Sequence, residues 1–143
     1  MSTLFVETDP ADIDLPDFGG PTDVLVYFLS LAFSTRYGSI HPLSQLALLL
    51  RGEYKIDMTP LTTFADRDVE EEADRVELER VWQDAGPLAE TLRRVCDVLA
   101  SGDERVEVLT EESPELAARL DDLRRIVEAV AERGGRVRLS YEL

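Results

Sequence analysis

One cysteine, one lysine and one histidine occur among 143 residues, and each scarcity removes a class of protein. A lone Cys96 cannot close an internal disulfide, whereas small secreted domains usually carry several. A reducing cytoplasm is the compartment this composition fits. Zinc sites built from four cysteines, or from histidine and cysteine pairs, are arithmetically impossible. Any Ser-His-Asp or Cys-His mechanism must pass through His41, and no Gly-x-Ser-x-Gly nucleophile elbow accompanies it. A Gly-rich phosphate loop is missing too; Gly19-Gly20 and Gly134-Gly135 read as a loop and a helix stop.

Positive charge is equally scarce. Lys and Arg together number 15 against 30 Asp and Glu, a net charge of -15. A field of that sign repels phosphates and anionic lipids, which excludes direct nucleic-acid binding and argues against a membrane partner. Every cation except Lys55 is arginine, a bias shared by high-GC genomes and by salt-adapted or heat-adapted proteins. The opening MSTLFVETDPADIDLPDF has no basic residue, so no secretory signal is expected there. The longest apolar run, residues 24–33, is interrupted by Ser30 and reaches about half of the roughly 20 residues needed to span a bilayer.

What is present is the material of a core. A hydrophobic fraction of 44% beside 31% charge is a globular composition, and the length suits a single domain. Residues 1–21 read as a loose acidic arm, with Leu4, Phe5 and Val6 as a short strand inside it, and residues 22–143 as one globular domain. Between Asp23 and Glu53 not one carboxylate occurs, where even placement would give about six. Burial excludes charge, so this stretch is the expected centre of the core. Thr22 is a candidate N-cap for a helix through about residue 35 with Gly38 as its stop; a buried strand is the competing reading. His41-Pro42 opens a second helix that ends near Gly52.

Further along, Tyr54, Ile56 and Met58 alternate with charged neighbours as a half-buried strand does. Residues 66–84 read as an acid-rich helix with Val69, Ala73, Val76, Val81 and Trp82 inward. Leu88, Leu92, Val95 and Leu99 form one helical stripe, and Leu116, Leu120, Leu123, Val127 and Val130 form another, opened by Ser113-Pro114 and closed by Gly134. Residues 106–109 and 136–143 are strand-like on either side of the second stripe. The expectation is therefore an α+β domain, predominantly helical, of four or five helices and a small sheet that includes a C-terminal strand-helix-strand unit.

Two clusters are candidates for chemistry. Glu70, Asp74 and Glu77 share a face if residues 66–84 are one helix, and clustered helical carboxylates can hold Mg²⁺ on a phosphate substrate. Their plainer role is a solvated acidic face favoured by the helix dipole. Arg36, His41, Arg51 and Lys55 border the carboxylate-free stretch and suit an anionic ligand, or else pair with nearby Asp23, Glu53 and Asp57. Cys96, beside Val95 on the inner side of its helix, reads as a structural thiol with a raised pKa. The leading functional expectation is a non-catalytic interaction or regulatory protein whose acidic surface meets a basic protein. Alternatives are a Mg²⁺-dependent hydrolase and a small anion-binding module, and a homodimer through an apolar helical face is also open.

Overall fold

The computed structural model describes residues 2–33 and 41–143. In chain order the elements are β1 (Thr3–Asp9), α1 (Asp23–Phe33), α2 (Pro42–Gly52), β2 (Ala65–Asp66), α3 (Glu72–Arg80), β3 (Trp82–Asp84), α4 (Ala85–Leu99), α5 (Glu104–Thr110), α6 (Leu116–Glu132) and β4 (Arg136–Glu142). This is a predominantly helical α+β fold with a small mixed sheet.

β4 is the centre of that sheet. β1 runs antiparallel along one side of it, from Thr3 opposite Glu142 to Asp9 opposite Arg136. The other side is shared by two short strands, parallel β2 near Ser140 and antiparallel β3 near Val137. Period-two alternation sends Leu4, Val6, Val137 and Leu139 toward the helices. The opposite face is ionic and aromatic: Arg138 pairs with Glu7 at 2.7 Å and lies over the Trp82 ring at 4.9 Å, while Arg67 lies over Phe5 at 3.9 Å.

Both helical stripes are real, and they pack against each other. Leu88, Leu92, Val95, Leu120, Leu123 and Val127 are fully buried along the contact of α4 with α6. Each such aliphatic side chain contributes about 1.5–3 kcal/mol on leaving water. Neither stripe is left on the surface for a second copy of the chain. Gly134, at φ 63°, takes the left-handed conformation that stops α6.

The described parts of the carboxylate-free stretch, α1 and α2, also supply the core. Leu25, Phe28 and Leu29 of α1 and Leu43, Leu46 and Leu50 of α2 are inaccessible or nearly so. α1 is a helix rather than a strand. Thr22 stands at the expected N-cap position, its carbonyl accepting the Leu25 and Val26 amides, while its Oγ1 accepts the Leu4 amide at 2.9 Å and so ties β1 to the helix start. Gly38, the expected stop, lies outside the described residues. Residues 2–21 contribute β1 to the sheet, and Ile13, Leu15 and Phe18 pack partly buried against the core.

Three expected elements take other forms. Ile56 and Met58 are buried and Lys55 and Asp57 exposed, but their backbone has no strand neighbour. Ile56 N donates to Leu50 O, Thr91 Oγ1 donates to Asp57 O at 2.9 Å, and Arg94 donates to the carbonyls of Tyr54 and Lys55. One backbone bond and these side-chain bonds replace a ladder. Residues 106–109 are helix α5, not a strand, so the C-terminal strand-helix-strand unit is reduced to α6 followed by β4. Asp103 caps α5 by accepting the Arg105 amide, and that local cap outweighs the alternating valines. Finally, residues 66–84 are a strand, a nine-residue helix and a strand; α3 buries none of its residues, and Val69 and Val76 face solvent.

Candidate functional site

The starts of three helices and the end of a fourth enclose an open cleft of roughly 640 Å³. Asp23, Val24 and Tyr27 come from the first turns of α1, His41 and Pro42 from the start of α2, Ser113, Pro114 and Glu115 from the approach to α6, and Leu109 and Glu112 from the end of α5. Ser2 closes one side.

Local sequence explains the placement. His41 has extended φ and ψ and caps α2, its Nδ1 accepting the Leu43 amide at 3.1 Å, and Pro42 follows in the first turn where its missing N–H costs nothing. Because Nδ1 accepts, the neutral ring carries its proton on Nε2. The Tyr27 ring meets His41 edge to face at 5.2 Å. Tyr27 is nonetheless 54% exposed, although Leu25, Val26, Phe28 and Leu29 around it in the same helix are buried.

Charge in the cleft is a competition. Helix N-termini attract anions, each with about half a positive charge. Asp23, Glu112 and Glu115 oppose the three N-termini with full negative charges, and none of them forms an ion pair among the described residues. Over the described residues, three positive half-charges against three carboxylates and the half-negative end of α5 leave the cleft negative by about 2 charges. It suits a cation, with an aromatic wall to receive it.

Other expected site residues are placed differently. His41 lines the cleft, but Arg51 does not; its guanidinium donates to Ala32 O at 3.2 Å and satisfies the end of α1. Lys55 sits beyond α2 at φ 55°, exposed. Arg36 lies outside the described residues. Of the acids named as their partners, Glu53 pairs with Arg105 at 2.6 Å and Asp57 accepts the Thr59 amide.

Glu70, Asp74 and Glu77 do line one shallow depression, with Asp66 and Asp68. They are not on one helical face, because Glu70 precedes α3. Asp74 Oδ2 accepts the amides of Glu70 and Glu71 at 3.1 and 3.0 Å, half of a reciprocal cap at the start of α3. A carboxylate occupied by backbone amides is a poor metal ligand, and among the described residues no group of three acids, histidines or cysteines is arranged to hold an ion.

Cys96 is partly buried, and that burial, with Asp121 nearby, pushes its thiol up to about 11. Asp103 is held well below the usual carboxylate range by hydrogen bonds from Arg105 and Tyr54. Both are structural roles. Asp23 entered from the sequence only as an ion-pair partner for nearby cations, and nothing tied Glu112 and Glu115 to it, because 89 positions separate Asp23 from Glu112 in the chain; Tyr27, a polar-tipped aromatic inside an apolar run, was the available signal. No family model, curated protein or solved structure matches the chain.

Proposed function

We propose that the protein is a non-catalytic interaction module of the cytoplasm, whose negative cleft receives a Lys or Arg side chain from a basic protein partner. The observation that carries this is the trio Asp23, Glu112 and Glu115 around the exposed Tyr27 ring. An incoming ammonium or guanidinium exchanges water for carboxylate oxygens and a π face, contacts worth about 0.5–2 kcal/mol each at a partly open site. The net charge of -15 supplies the long-range attraction that speeds the encounter.

Fluorescence anisotropy with a labelled Lys-rich peptide tests this. An Asp23→Asn, Glu112→Gln, Glu115→Gln variant is compared with Glu70→Gln, Glu72→Gln, Glu77→Gln, which removes the same charge from the α3 region. The expected result is affinity lowered about tenfold or more in the first and within about twofold of the parent in the second, since a tenfold change needs only 1.4 kcal/mol. Equal losses in both would mean that the peptide senses net charge alone, and the cleft would lose its role.

A further inference from the structure

We infer that the partner segment is a basic amphipathic helix, laid along the groove between α2 and α5 with one end in the negative cleft; this rests on the cation-binding reading of that cleft. A second depression, of roughly 460 Å³, is lined by Gln45, Glu104, Arg105, Val108 and Leu109, and it meets the first at Leu109. Of the six large hydrophobics exposed among the described residues, three lie on this side: Tyr27 at 54%, Leu48 at 52% and Val108 at 64%. Leu48 follows Gln45 by three positions on α2, so helical spacing extends the groove past its lining residues with an exposed apolar side chain.

The rim decides what fits. Asp23, Glu112 and Glu115 guard one end, and the exposed Glu104 and Glu107 follow along α5. The single cation on that wall, Arg105, is neutralised by Asp103 at 2.9 Å and Glu53 at 2.6 Å. An occupant must therefore present apolar side chains to the floor and cations to the α5 edge and the acidic end. Apolar side chains at helical spacing, flanked by Lys or Arg, meet that demand on one helix. A second copy of the chain would bring a surface of the same sign onto the groove, with -15 on each partner. An added β-strand would find no ladder there, because both walls are helices.

The test uses the full chain and two labelled peptides of identical Leu and Lys content, one with Leu at helical spacing and one scrambled. The amphipathic peptide is expected to bind about tenfold more tightly than the scramble. A Leu48→Ser, Val108→Ser variant removes that advantage and leaves scramble binding unchanged. Both positions are exposed, so the variant's melting temperature should match the parent's, and circular dichroism checks that it does. Equal binding of the two peptides, or an amphipathic advantage that survives Leu48→Ser, Val108→Ser, overturns the helix-in-groove inference while the cleft keeps its cation. Failure of both peptides to bind at low salt overturns the cleft reading itself.

Discussion

Removing the Asp122 carboxylate should cost this fold more than removing any other acid on α6. Asp122 is 6% exposed. Its Oδ2 accepts the Gly19 amide at 2.9 Å and lies 3.0 Å from Arg119 Nε, and its Oδ1 accepts from Arg125 at 2.7 Å. The side chain thus fastens the segment after β1 onto α6, across 103 positions of sequence. Asp122→Ala removes the acceptor of the part-buried Gly19 amide bond, worth about 0.5–1.5 kcal/mol, and strands the largely buried Arg119 guanidinium. Breaking a fully buried charge pair costs about 3–5 kcal/mol. Because Arg125 is half exposed and the Arg119 contact is Coulombic rather than a well-aligned hydrogen bond, the sum should be nearer 2–4 kcal/mol than the full total.

Urea unfolding followed by circular dichroism measures it. The internal control is Asp121→Ala, whose carboxylate is 42% exposed and pairs with Arg124 and Arg125; it should cost at most about 1 kcal/mol. Asp122→Asn keeps an acceptor for the Gly19 amide and should fall between the two. A loss at Asp122→Ala no larger than at Asp121→Ala would refute the claim that this contact anchors residues 10–21. Gly20→Ala attacks the same anchor from the other side, since an added Cβ would lie 1.9 Å from Arg119 Nη1 and push the guanidinium away.

Gly135→Ala should destabilise by about 1–3 kcal/mol in the same urea assay, because its Cβ would come within 2.8 Å of both Asp9 O and Val130 Cγ1, one of them backbone that cannot swing aside. Cys96 should react with iodoacetamide at pH 8 about a hundredfold more slowly in the folded chain than in urea, given a thiol pushed up to about 11. Since the fold favours the neutral thiol, the stability it contributes is complete below the ordinary thiol range and is lost as pH rises toward about 11. Cys96→Ser should flatten that alkaline slope; an unchanged slope would assign it to other groups.

Where one helical face is buried, the sequence by itself was enough. The stripes of α4 and α6 recur at threes and fours, which only a helix can turn to one side, and α6 stops at Gly134 with its positive φ. The absence of carboxylates between Asp23 and Glu53 likewise told of burial, because an unpaired charge there would cost more than the fold can spare. Short elements were decided elsewhere. Val106 and Val108 alternate as in a strand, yet the cap at Asp103 and packing of Val106 against the core make that segment helical and leave Val108 outside. Ile56 and Met58 alternate too, but Leu50 O, Thr91 and Arg94 take the backbone groups of residues 54–57 in place of a neighbouring strand. The cleft belongs wholly to tertiary structure. Asp23, His41 and Glu115 stand at the starts of three helices far apart in sequence, and only the packing of α1, α2, α5 and α6 brings their charges into one field.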